Sequence, residues 1–351
     1  MQPAVRSLRR RAVLILVLLA LLAIVSLLAS GIVGSIALPF AEIPSALVQL
    51  LTGGTHTTAG GLERTSGMTA TLLELRLERA LAAFVTGAAL ALAGVMMQAL
   101  LRNPLADPYV LGVSAGASVG ALAAMLLLCA AWVIDAAAFG GAVAVSGLLY
   151  LLARRDLRDG NAAAGGSSLL LLTGVIVSSG CMALVTLMLS IAPDSRLRSM
   201  VFWMIGDLSG VQFRWLPWMV LAGALVFALT SARSINVMAQ HAEAATTLGV
   251  RVGRLRQSLF FCAGLLTASA VTSAGSIGFV GLIVPHACRF ALGPDHRLLL
   301  PAATLVGGTF LILADTLART VLAPQQLPVG VITSLIGVPV FLLQLHRIRR
   351  R

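Results

Sequence analysis

The sequence contains no lysine, and only 11% of its 351 residues are charged. All 25 basic side chains are therefore arginines, set against 13 acids for a formal net charge of +12. Without lysine there is no GxxxxGK[ST] phosphate loop, so the chain does not hydrolyse ATP by that route. HExxH does not occur, which removes the usual zinc-protease constellation. Aromatic residues are scarce, at 5%, and there are four cysteines. Cys129, Cys181, Cys262 and Cys288 lie in or beside apolar runs with no CxxC pair. They are expected as buried free thiols rather than a disulfide framework or a zinc site. His286, His296 and His346 fall near the ends of apolar runs without metal-ligand spacing. No metal, no cofactor and no enzymatic role is expected.

What the chain has in abundance is apolar surface. It is 58% hydrophobic with a mean hydropathy of +0.97. A soluble chain of this length cannot hide so much, so its solvent is largely lipid. The arginines sit between apolar runs rather than on one face, which argues against nucleic acid and for topological charge. Against a need for about 20 residues per span, ten runs qualify: 12–32, 79–101, 110–130, 136–153, 168–191, 215–232, 257–274, 276–291, 299–317 and 329–346. The expected fold is all-α, a polytopic bundle of about ten transmembrane helices. Residues 1–351 form a single transmembrane domain, because the gaps are too short to fold alone.

An even number of spans puts both termini on one side. That side collects 18 arginines and the other 7, so the termini are expected in the cytoplasm by the positive-inside rule. RSLRRR followed by Ala12–Ile32 is too long for a signal h-region and is expected as an uncleaved first span. Two connections exceed a turn. An outer loop, 34–75, holds a short amphipathic piece at 43–51 and the TGGTHTTAGG stretch; a cytoplasmic loop covers 231–256. Residues 195–206 are too short to span, and Phe202 and Trp203 beside arginines predict an interfacial outer helix.

Residues 102–120, RNPLADPYVLGVSAGASVG, predict a hinge between two spans, built on Asn103, Pro104, Asp107 and Pro108. Gly112, Gly116 and Gly120 then follow at four-residue spacing, which gives a flat helix face for close backbone packing. GSIGFVG at 275–281, with Gly278 and Gly281, resembles a phosphate loop but lacks a preceding strand; close packing at a tight reversal is the better reading. Pro285 and His286 follow it. Arg79, Gly87 and Ala91 are spaced as Arg256, Gly264 and Ala268 are, which fits an inverted repeat of five spans. Carboxylates and histidines deep in the spans are few, so the energy for transport is expected from a partner rather than from an ion gradient.

Four segments together resemble one family. They are LRLERALAAFVTGAALALAGVMMQALLRNPLADPYVLGVSAGA at 75–117, TTLGV at 246–250, AGSIGFVGLIVPHACRFALGPDHRLLLP at 274–301, and LADTLART with LPVGVITSLIGVPVF at 313–341. They are similar to permease subunits of ABC importers for ferric siderophores, haem and cobalamin, and they follow the family's order. The resemblance implies a type II ABC importer permease fold in a bacterial inner membrane. It implies a homodimer with the path on its two-fold axis, two cytoplasmic ATPase subunits and a periplasmic binding protein. The loop between spans six and seven would dock into the ATPase, through Glu243, Ala244, Leu248, Gly249 and Val250. Arg76, Arg79 and Arg319 match arginines that receive acids of the binding protein. Two positions depart from the pattern: Glu78 replaces a proline, and Gln326 replaces a glutamate. The fifth span, with Ser178, Ser179, Met182 and Thr186, is expected to line the path or gate, since small weakly polar groups suit a surface that must not bind tightly. An ion-coupled carrier or exporter on the same ten-span scaffold is the alternative. Which chelate is carried stays open.

Overall fold

The computed structural model describes residues 2–36, 38–52, 61–158, 166–210, 214–240 and 242–349. Among these the chain is helical, with no strand. In chain order the helices are α1 Gln2–Ile32, α2 Ile43–Thr52, α3 Gly61–Leu101, α4 Val113–Leu126, α5 Ala131–Arg158, α6 Gly166–Ile191 and α7 Asp194–Ile205. There follow α8 Trp215–Gln240, α9 Ala242–Thr247, α10 Val252–Ala274, α11 Val280–Leu292, α12 His296–Thr320 and α13 Val329–Arg349. Seven are long and apolar enough to cross a membrane, and α4, α11 and the apolar part of α13 are shorter. Each of the ten expected spans thus has its helix.

Several boundaries differ from expectation. The segment 34–75 is not one loop, because α3 begins at Gly61 and runs for 41 residues. That is about 60 Å of helix, twice the hydrocarbon thickness of a bilayer. The added turns carry Leu, Glu, Met and Ala and no proline, all compatible with helix. Ala70 and Leu73 of these turns bury against Ala46 of α2 in a small core of their own. The loop expected at 231–256 is also shorter. Extended ends of α8 and α10 leave only α9 and its flanks between them.

α3 is the axis of the bundle, packed by α1, α8, α10, α11 and α12. Lipid supplies no hydrophobic drive between helices, so close approach must come from small residues. A Cβ on Gly87 would stand 2.3 Å from the carbonyl oxygen of Gly307 in α12, and one on Gly94 only 1.9 Å from that of Gly281 in α11. Gly116 and Gly120 do the same for α4 against α5: a Cβ there would meet Gly141 O at 2.5 Å and Ala137 O at 2.0 Å. Gly112, the first of that series, serves differently, as a turn residue at φ 71. The repeat spacing does not carry equal packing. A Cβ on Gly264 would meet nothing closer than the Ser146 hydroxyl at 3.6 Å, whereas Gly87 is pressed on backbone.

α7 is more than a surface helix. Its C-terminal end reaches into the bundle, where a Cβ on Gly275 would stand 2.1 Å from the Trp203 carbonyl and one on Gly330 1.8 Å from that of Ile205. Met200 is fully buried and Trp203 packs on the core. At its other end the Arg196 guanidinium donates to the carbonyls of Met125 and Leu126, which end α4, and Arg198 lies over the Phe202 ring.

Candidate functional site

Three regions hold the residues singled out above. The first is the hinge. α3 ends with Arg102 at φ 49, and the Asn103 N–H reaches back to the Gln98 carbonyl at 3.2 Å. That is a left-handed helix stop. The Asn103 side chain accepts from the Leu105 N–H at 2.9 Å, and Asp107 accepts from the Tyr109 N–H at 2.8 Å. The hinge is therefore two successive side-chain-to-backbone turns, the structures Asn and Asp favour. Burial pushes the Asp107 carboxyl up to about 6, with the Tyr109 N–H opposing the rise.

The hinge then meets the 275–281 segment. The Tyr109 hydroxyl accepts from the Ile277 N–H at 3.1 Å, and Ser114 Oγ lies 2.7 Å from Ser276 Oγ. Pro108 touches the place where a Gly281 side chain would be. Gly278 has open space around it, so only Gly281 of this glycine pair serves packing. Phe279, at φ 70, begins α11. Pro285 lies inside α11 and cannot donate to the Gly281 carbonyl one turn back. The Gln98 amide donates to the next carbonyl, Leu282, at 3.3 Å. Gln98 carries no sequence signal of this role. His286 is half-buried, and among the described residues its Nδ1 has no hydrogen-bond partner.

The second region lies at the end of the bundle where α1 finishes. Arg76, Arg79 and Arg319 come together there. All three are buried, with exposures of 8%, 9% and 3%. Arg76 donates through Nη1 to the Ile32 carbonyl at 2.8 Å and through Nη2 to that of Ile36, capping the open carbonyls at the end of α1. Arg79 straddles Asp315, with Nε and Nη2 within 2.8–3.1 Å of its oxygens, while Nη1 donates to Gln326 Oε1 at 2.8 Å. Arg319 Nε stands 3.0 Å from Asp315 Oδ2, an ion-pair distance, but off the line of a hydrogen bond. Its Nη2 donates to Ser30 Oγ at 2.7 Å. The reason is Asp315: a carboxylate with no exposure demands paired cations, and removing one partner of such a cluster costs about 3–5 kcal/mol. Sequence reasoning missed that Asp315 pairs with two of these arginines. Its position four residues before Arg319 was the available signal.

An open pocket of about 420 Å³ lies over this cluster, lined among others by Ser35, Arg76, Glu78, Arg79, Ser209, Arg319 and Gln326. Gln326 thus fills a structural place as a neutral acceptor for Arg79. Glu78 is half-buried on the pocket wall.

The third region is the loop between α8 and α10. α9 closes with Gly249 at φ 78, the Gly249 N–H bonded to Thr246 O and the Val250 N–H to Ala245 O. These two bonds form the Schellman stop that glycine favours. Ala245 is buried, Val250 packs on the core, and Leu248 is 69% exposed at the tip. The side chains of Glu243 and Ala244 lie outside the described residues. Next to this loop, Asn236 of α8 accepts from the backbone N–H of His296 and donates to Asp295, tying α8 to the start of α12.

On α6 the four predicted path residues separate. Ser178 is half-buried and stands 2.9 Å from where a Gly112 side chain would be. Ser179, Met182 and Thr186 are exposed in the single chain. The hydroxyls of Ser178, Ser179 and Thr186 all donate to the carbonyl four residues earlier, so each is satisfied without water.

A sequence profile of the FecCD transport family matches residues 18–347. The chain belongs to the FecCD transport family. It is 42% identical over 275 residues to the cobalamin import system permease protein BtuC of Halobacterium salinarum, covering 76% of this chain and 71% of that one. It is 40% identical over 289 residues to the hemin transport system permease protein HmuU of Yersinia pestis, covering 80% and 84%. Among solved structures, an ABC transporter described as of metal-chelate type, in an inward-facing conformation, superposes with a TM-score of 0.80. It covers 95% of this chain and 99% of that chain, at 29% identity. This FecCD chain is accordingly a multi-pass membrane permease of the ABC transporter class, with the helical fold expected.

Proposed function

We propose that this FecCD-family permease is the membrane subunit of an ATP-driven importer that moves a bulky metal chelate, such as a ferric siderophore, haem or cobalamin, from periplasm to cytoplasm. It works as a homodimer with two cytoplasmic ATPase subunits and a periplasmic binding protein, with both termini cytoplasmic. The observation that carries the proposal is the family match over 18–347, joined by relatives named for cobalamin and hemin. The capped α9 with exposed Leu248 supports its role as the ATPase contact, because an apolar knob on a rigid loop suits insertion into a groove. The far-end pocket supports binding-protein docking through Arg79 and Arg319. Arg76 takes part by shaping the pocket wall. The exposed Ser179, Met182 and Thr186 face of α6 supports a role along the path.

An ion-coupled carrier is less well supported. Asp315, the carboxylate buried at this end of the bundle, is committed to two arginines. The deciding measurement is chelate uptake into vesicles bearing the reconstituted complex. Uptake is expected to need ATP and to survive an uncoupler. Uptake that follows an imposed proton gradient without ATP would overturn the importer.

A further inference from the structure

We infer that Asp315 is the positioning residue of the far-end pocket: from beneath its floor it holds Arg79 and Arg319 side by side, so that their remaining N–H groups receive one carboxylate of the docking partner. This inference rests on the docking reading above and adds the device that makes it work.

The geometry has three parts. Arg79 and Arg319 line the pocket, and Asp315 does not; it is fully buried under them. Each guanidinium has five N–H groups; Asp315 accepts from Arg79 and pairs with Arg319 Nε at 3.0 Å by charge, leaving other N–H groups of both arginines uncommitted. Arg79 offers its second Nη1 and Nη2 hydrogens once Asp315 and Gln326 are served. Arg319 spends Nη2 on Ser30 and Thr316, and among the described residues no acceptor holds its Nη1. The two forks come from different helices, α3 and α12, and the carboxylate between them is what sets their relative placement.

The physical gain is preorganisation. A free arginine carries large rotamer entropy, which a partner must quench on docking. Here much of that freedom is removed before the partner arrives. Charge alone is not the pocket's main asset. Asp315 cancels one of the two arginine charges, Arg76 is spent on α1 carbonyls, and Glu78 adds a negative wall. Fixed donors, rather than net potential, then decide affinity.

Positioning and mere charge balance predict opposite outcomes, which makes the test sharp. The permease, assembled with its ATPase subunits in nanodiscs, is titrated with its cognate periplasmic binding protein at low and high salt. Asp315→Glu keeps the charge but moves the carboxylate by a methylene. Binding is expected to weaken on the order of tenfold at both salts, with the basal ATPase rate and thermal midpoint as checks of folding. Asp315→Asn makes the pocket one charge more positive. Positioning still predicts weaker binding, whereas charge balance predicts tighter binding at low salt and a steeper salt dependence. Tighter binding by Asp315→Asn with wild-type binding by Asp315→Glu overturns the inference and keeps the docking reading. Wild-type binding by both, and by Arg79→Gln, overturns docking itself. If neither Asp315 variant assembles, Gln326→Ala carries the test from an exposed side chain: loss of the acceptor on Arg79 Nη1 should weaken binding, and unchanged affinity overturns the positioning account.

Discussion

Replacing Gly249 isolates the contribution of one backbone conformation to coupling. The residue sits at φ 78, and a Cβ there meets no atom of the described residues within 4 Å. Any penalty from a side chain is therefore conformational and not a clash. For an L-residue the left-handed region costs about 1–2 kcal/mol, more for a β-branched one, while asparagine tolerates it. α9 has six residues, too few to persist without its stop and its packing. The two bonds from Gly249 and Val250 back to Thr246 and Ala245 are that stop. If docking needs the capped loop, Gly249→Val subtracts the penalty from ATPase affinity, which at 1–2 kcal/mol is roughly a five- to thirtyfold loss. Gly249→Asn should lose far less. The assay is titration of purified ATPase subunits onto the permease in detergent, with the ATPase rate followed alongside. The permease's own thermal midpoint should barely move, because the bundle core is untouched. Wild-type affinity for Gly249→Val, or equal losses for valine and asparagine, would refute the reasoning.

Other consequences follow from single positions. Gly94→Ala drives a Cβ onto the Gly281 carbonyl, where a Cβ would stand only 1.9 Å away, and should destabilise by about 1–3 kcal/mol or more; Gly180→Ala, with nothing within 4 Å, should be neutral in the same thermal unfolding assay. Asp107→Asn keeps the side-chain oxygen that receives the Tyr109 N–H but cannot ionise. Because burial raises the wild-type carboxyl to about 6, the folded state holds that proton more tightly, and wild-type stability should fall as pH rises from about 4 through 6. The asparagine variant should therefore be the more stable at pH 7.5, with the gap closing towards pH 4; a gap that stays constant across this range would contradict it. A reporter fused after Arg351 should be active only as a cytoplasmic fusion, and periplasmic activity would overturn the expected orientation.

How much of this was legible in the sequence varies by the range of the interaction. The ten apolar runs became ten helices because spanning lipid leaves the backbone no other way to satisfy itself. The hinge was legible too, since Asn103, Asp107, the prolines and Gly112 act on backbone groups one or two residues away. Gly249 is the same case: a helix stop is a local event. The ends of α3, α8 and α10 were not legible, because hydropathy marks where lipid begins and not where a helix stops in water. Nor was the packing of α7 into the bundle, where Gly275 and Gly330 lie against the carbonyls of Trp203 and Ile205.

The far-end arginines mark the division most clearly. By itself the sequence determined that the chain is an apolar all-α bundle, where its hinge and its Gly249 stop fall, and that Arg76, Arg79 and Arg319 share one end of it. Only the tertiary structure decided what each does. Arg76 is drawn to the carbonyls that end α1, a partner more than 40 positions away, and Arg79 to Asp315, 236 positions away. A charge in a low-dielectric interior is governed by whichever opposite group folding brings within a few ångströms. That distance is a property of the packed helices and not of the order of residues along the chain.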